Sequence, residues 1–304
     1  MKRTTWISYC MGLALLGFTS QALGQVTLIT DDFEVDSSAM YTVVDESNAA
    51  SGDGTPDSTV AFAFDYVGAG IPLAPNSTAG DIGGLRFAAN ETGNDAGAAD
   101  HITAFNNINV DAIAYELQVD FYMGVESAGG STEFAHIGVG GDSSDFLSIF
   151  TPVVLNGHTL AMTGEGGSAS DYRHSTPTGI LNDGDASYLN SDNTTNATGD
   201  TYQAIFPGAT SDFAGSPGNQ WATLSIFVTP NIVRYSLNGT PIIQTSNDGS
   251  DGLVSLGYAD VFSSVGPHFI VYDNLNVTTI PGIPEPSSLM LLSLSSLALV
   301  RRRR

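Results

Sequence analysis

Hydrophobic and polar residues alternate along much of this chain with a period of two. From Tyr115 to Met123, the residues Tyr115, Leu117, Val119, Phe121 and Met123 share one face and Glu116, Gln118, Asp120 and Tyr122 the other. This is the pattern of a strand with one buried face. Ala222, Leu224, Ile226 and Val228 repeat it opposite Trp221, Thr223, Ser225 and Phe227. Shorter candidates lie at Thr27 to Glu34, Thr59 to Val67, Leu85 to Ala89, Glu133 to Val139, Phe146 to Thr151, Leu253 to Tyr258 and His268 to Val277. No comparable stretch carries the helical period, and Gly, Asn, Asp, Ser and Thr clusters separate the strands, so the pattern predicts an all-β fold of antiparallel sheets. One hairpin is placed by its turn. Val233, Tyr235 and Leu237 run into Asn238-Gly239, the pair suited to the positive φ angles of a type I′ turn, and Pro241 then marks a strand start or a sheet edge.

The pattern breaks in three places. Residues 164–218 are polar and turn-rich, which predicts a loop-rich insertion over one sheet. At the amino end, Lys2 and Arg3 precede an apolar run from Met11 to Phe18, and Ala22-Leu23-Gly24 supplies the small residues that signal peptidase needs for cleavage before Gln25. At the carboxyl end an apolar run from Ser287 to Val300 is closed by Arg301 to Arg304. Such a run rises only about 21 Å as a helix, short of a hydrocarbon core of roughly 30 Å, and the arginines hold its end on the cytoplasmic side. The expected organisation is a signal helix over residues 1–24, an ectodomain over 25–280 and a hydrophobic anchor helix over 281–304.

The residues before that run complete a motif. Ile283-Pro284-Glu285-Pro286, the apolar stretch and the arginine cluster together resemble the PEP-CTERM sorting signal of exosortase-bearing Gram-negative bacteria. The resemblance implies that Pro284, Glu285 and Pro286 are the sorting motif. It also implies a precursor held in the inner membrane until an exosortase-type enzyme processes it, and delivery to the cell surface or extracellular matrix, often beside exopolysaccharide. The segments Trp221 to Val228, Val233 to Gly239, Gly252 to Tyr258 and Phe269 to Val277 resemble the second half of a concanavalin-like, laminin-G-type jelly roll. That likeness implies a two-sheet sandwich whose first and last strands lie together, with Phe33 close to Val271 to Leu275.

Charge narrows the partners. Six of the 9 basic residues lie in the terminal segments, but only Glu285 of the 32 carboxylates does, which leaves Arg86, Arg173 and Arg234 against 31 carboxylates in the ectodomain. A surface this acidic excludes nucleic acid and favours divalent cations and neutral glycans. The single Cys10 falls in the signal segment, so the exported part has neither disulfide nor thiolate metal site.

Candidate chemistry is sparse. Asn182-Asp183-Gly184-Asp185 and Asn247-Asp248-Gly249-Ser250-Asp251-Gly252 combine oxygen donors with turn-making glycine, as a calcium loop requires, although neither carries the full EF-hand pattern. Asn182, Asp183, Asp185, Asn247, Asp248 and Asp251 are therefore the candidate calcium ligands. No paired-carboxylate string of a glycosidase, no His-Glu-x-x-His and no nucleophile elbow occurs. The triplet Tyr172-Arg173-His174 has the residue types of a polysaccharide lyase, a base for the proton α to a carboxylate and a cation for the acid. Against this, the triplet falls in the polar insertion, where an exposed loop of mixed polar residues is the commoner explanation. Tyr122, Trp221 and Arg234 lie on the polar parity of their strands, where aromatic rings would stack on sugars if that face were open. The expected protein is a surface-destined, non-catalytic sandwich that binds glycan. The alternatives are an extracellular lyase or glycoside hydrolase, and a purely structural coat or adhesion protein.

Overall fold

The computed structural model describes residues 24–45, 58–89, 100–125, 133–144, 157–164, 171–181, 184–189, 201–208, 216–260 and 268–281. Both terminal helices expected from the sequence, the strand expected at Phe146 to Thr151, and Asn182 and Asp183 lie outside these residues.

Two antiparallel sheets make a jelly-roll sandwich. The first has the order β13 (Thr240–Ser246), β12 (Ile232–Leu237), β11 (Trp221–Val228), β6 (Tyr115–Gly124), β15 (Phe269–Thr279), β4 (Leu85–Ala89) and β3 (Ser58–Ala61), and β1 (Thr27–Asp31) also pairs with β15. The second has the order β10 (Gly179–Leu181), β9 (Tyr172–Thr176), β8 (His158–Thr163), β7 (Glu133–Gly141), β14 (Gly252–Asp260), β5 (Asp100–Val110) and β2 (Tyr41–Asp45). A single turn of 3-10 helix (Ser38–Met40) and a short helix α1 (Thr201–Ile205) are the only helical elements among the described residues.

The alternation read from the sequence sets the core. Leu117, Val119, Phe121, Ala222, Leu224 and Ile226 from the first sheet meet Ala135, Ile137, Leu160, Met162, Leu256 and Tyr258 from the second, all in one buried cluster. Asp31 pairs with Leu275, so the first and last strands do lie together, and Phe33 is buried in the same core. Asn238 (φ 47°) and Gly239 (φ 77°) form the expected hairpin turn, and Pro241 sits on β13, an edge strand.

Two expectations are corrected. The strand expected over Thr59 to Val67 ends at Ala61: Ala63 turns to φ 53°, and Asp65 captures the backbone N–H of Gly68 at 2.6 Å. From there residues 62–84 run over the outside of the first sheet. The insertion at 164–218 is not wholly loop, since β9 and β10 extend the second sheet and α1 lies beyond them. Its polar sequence hid these strands because β9 buries Tyr172, His174 and Thr176, two of which are polar.

Candidate functional site

The sheet face bearing Tyr122 and Trp221 is not an open platform. These residues face each other across β6 and β11, with ring centroids 5.7 Å apart, and Tyr66 from the covering loop meets Trp221 edge-on at 5.2 Å. Trp221 donates its indole N–H to the Pro72 carbonyl at 2.6 Å. Beneath the same loop lie Asp120 and Asp273, facing neighbours on β6 and β15 and both fully buried. Asp120 accepts from the backbone N–H (3.1 Å) and side chain of Asn76, from Thr223 Oγ1 at 2.6 Å and from Asn274 Nδ2 at 3.1 Å. Asp273 accepts from Tyr66 OH at 3.0 Å and Ser77 Oγ at 2.7 Å. Burial pushes Asp273 up to about 6, against the lowering effect of these donors. The aromatic side chains expected on a sugar-facing surface, with the carboxylates of Asp120 and Asp273, thus fasten the loop to the sheet. Arg234 is engaged as well, donating from Nε (2.8 Å) and a terminal nitrogen (2.6 Å) to Gln244 Oε1.

The Tyr172-Arg173-His174 triplet is split by the pleat of β9. Tyr172 and His174 are fully buried and point into the sandwich, while Arg173 takes the opposite face. Tyr172 stacks on Tyr188 at 5.7 Å, and His174 stacks on His158 at 5.6 Å and meets Tyr235 of the first sheet at 5.1 Å. Burial, and secondarily the charge of His158, lowers His174 to about 3. A proton acceptor and an arginine on opposite faces do not converge on one substrate acid. The same geometry replaces the exposed-loop reading, since these rings are core.

One sequence-predicted loop does line a cleft. Asp111, Ala112 and Ile113 from the β5–β6 turn, Pro230, and residues 247–251 enclose about 530 Å³ at one rim of the sandwich. Asn247 shapes the loop, donating to the Thr229 carbonyl and Ser250 Oγ at 2.8 Å each and accepting from Gly249 N–H at 3.2 Å. Asp248 Oδ1 reaches His158 Nε2 at 2.9 Å; the imidazole is wholly buried while the carboxylate is 38% exposed. Burial lowers His158, and Asp248 opposes that shift. Behind the loop, backbone packs on backbone: a Cβ on Gly140 (φ 83°) would stand 2.6 Å from the Gly249 oxygen, and one on Gly157 (φ 129°) 2.4 Å from the Val139 oxygen. Only glycine lets β7 and β8 close against the cleft loop here. Asp185, from the other predicted loop, does not line this cleft and accepts from Ser187 N–H at 2.8 Å.

Sequence reading missed a second cluster. Glu133 opens β7, Asp260 closes β14 and His268 immediately precedes β15, and one ligand atom from each lies within 4.8 Å of the others. Asp260 faces Glu133 on one side and Asp100 of β5 on the other. His268 Nδ1 pairs with Glu133 Oε1. All share the inward parity of the core. The one available signal was that each acidic residue begins or ends a strand, and spacing along the chain cannot reveal neighbours made by register.

Residues 282–304 match the family model of the PEP-CTERM protein-sorting motif, which marks this chain as an exported protein processed at the membrane and placed on the cell surface. No curated protein matches the sequence. Among solved structures, the potassium-bound carbohydrate recognition domain of Emp46p is similar with a TM-score of 0.45 and 12% identity, over 85% of this chain and 97% of that one. The exoplasmic/lumenal domain of VIP36 in a Ca2+/Man2-bound form gives 0.44 and 11%, over 86% and 90%. Cip1, a cellulose-induced protein, gives 0.39 and 10%, over 82% and 96%. Each similarity is one of architecture.

Proposed function

We propose that this protein works on the bacterial surface as a non-catalytic β-sandwich that binds neutral glycan in the rim cleft between residues 111–113 and 247–251. The cleft itself carries the reading: about 530 Å³ lined by three carboxylates and loop backbone. Carboxylate oxygens accept strong hydrogen bonds from hydroxyl groups, and the same oxygens suit calcium. Asp111, Asp251 and the remaining oxygen of Asp248 are the acceptor oxygens on offer, because Asn247 is spent in holding the loop. Calcium there would bridge loop and sugar, and a polyanionic polymer would be repelled. The split of Tyr172 and His174 from Arg173 supports the non-catalytic part.

Signal peptidase releases the chain at Gln25. An exosortase-type enzyme then acts on a precursor held in a Gram-negative inner membrane, reading Pro284, Glu285 and Pro286. Replacing these three by alanine should leave precursor in the membrane fraction, and normal maturation of that variant would contradict the sorting reading. Ligand binding is tested on the full chain with an array of neutral and acidic oligosaccharides, in calcium and in chelator. Neutral sugars should bind in calcium and lose about tenfold in affinity in Asp251→Asn. Binding that survives this change, or that is confined to acidic sugars, would sink the cleft assignment. Release of soluble oligosaccharide would mean an enzyme, and neither binding nor release a structural coat.

A further inference from the structure

We propose that Glu133, Asp260 and His268 bind one divalent transition ion, of the zinc or manganese class, which ties β7 to β14 and to the start of β15. Their ligand atoms already lie within 4.8 Å of one another. An ion bonded to imidazole nitrogen and carboxylate oxygen at about 2.0–2.2 Å holds its ligand atoms roughly 3–3.5 Å apart, so the direct His268–Glu133 pair opens and gives up the proton it shares while Asp260 closes in. Glu133 and Asp260 are fully buried and His268 is 6% exposed. Two carboxylates at facing positions on adjacent strands, with Asp100 abreast as a third, concentrate negative charge where water cannot screen it. A dication offsets more of that charge than the single guanidinium of Arg86, which also acts here.

Tyr258 is a separate observation pointing to the same place. It stands two residues before Asp260 on the same face of β14, is fully buried, and its hydroxyl makes no hydrogen bond. The charges of Glu133 and Asp260 both act on it, opposed by that of Arg86. Its hydroxyl, buried on the face of β14 that carries Asp260, lacks the partner that a bound ligand would give it. The ligand types choose the ion. Calcium takes six to eight oxygens, whereas one imidazole with two carboxylates suits zinc or manganese. This site is separate from the rim cleft, whose lining shares none of these residues.

The test uses the untagged full chain, stripped with chelator, dialysed and titrated calorimetrically with Zn2+, Mn2+ and Ca2+. One equivalent of Zn2+ or Mn2+ should bind and resist displacement by calcium. His268→Asn should weaken that binding by on the order of 100-fold, while the double variant Asp248→Asn, Asp251→Asn should keep it. Loss of the equivalent in the double variant would place the ion in the cleft and overturn the proposal, as would unchanged binding in His268→Asn. Glu133 is deeply buried and its variants risk misfolding, so X-ray absorption on the zinc-loaded natural chain supplies the second measurement. Imidazole scattering in the first shell is expected. An all-oxygen shell, or no retained metal, would refute the site.

Discussion

Asp120 and Asp273 face each other across β6 and β15 on the outside of one sheet; Glu133 and Asp260 face each other across β7 and β14 on the inside of the other. Both pairs are buried. The first is met by neutral donors from Asn76, Ser77, Tyr66, Thr223 and Asn274, most of them delivered by the loop at 62–84. The second converges with an imidazole beside an unbonded phenol. Hydrogen bonds alone make the first pair a fastener, so its job is finished when the loop docks. The second collects the atom types of a coordination sphere, and its job begins when an ion arrives. Burial of carboxylates is therefore no guide to function until their partners are named.

The largest test of this contrast is Asp120→Ala, which strands several buried donors at once. Denaturant unfolding should report a loss of about 3 kcal/mol, with Trp221 emission shifting red as the loop lifts, yet zinc should stabilise the variant as it does the natural chain. A loss of zinc response would mean that the two pairs are not independent. Asp260→Asn should do the reverse: little loosening of the loop, but removal of about 2.7 kcal/mol of stabilisation at zinc concentrations 100-fold above the dissociation constant. Tyr66→Phe deletes one donor to Asp273 and should cost about 1 kcal/mol by the same unfolding assay.

The smallest effect is a slope. Asp273 is raised from 3.8 to about 6, so the stability it contributes is fully present below pH 3.8 and lost as pH rises through 6. His136 and His174 are lowered from 6.5 to about 3, so theirs is present above pH 6.5 and lost as pH falls toward 3. The two opposing trends overlap between these limits. Asp273→Asn should therefore steepen the acid loss of stability between pH 6 and 4, and a slope equal to that of the natural chain would show that Asp273 does not titrate there.

What the sequence disclosed follows from how each strand is buried. β6 and β11 cover one face more deeply than the other, and their alternation named both the strands and the residues that line the core. β7 was named from Glu133 to Val139, but in β8 every residue is buried, so polar side chains such as His158 and Thr159 occupy interior positions, no period survives and the strand went unread. The cleft loop was legible because Asn247, Gly249 and Gly252 make turns by local chemistry. Neither the cover over Trp221 nor the meeting of Glu133, Asp260 and His268 is local. The first depends on a loop arriving from residues 62–84, and the second on register between strands whose sequences say nothing of one another.

β15 runs between β6 on one side and β1 with β4 on the other, antiparallel to all three, and leads directly into the sorting segment. Tension applied through the tail is therefore aligned with the strand that joins the two halves of its sheet. The hydrogen bonds on both edges must slide together in shear, because none can be peeled off singly. A pull at that end is carried by a strand paired on both edges, so resistance to it is set by sheet order before any ligand or ion is bound.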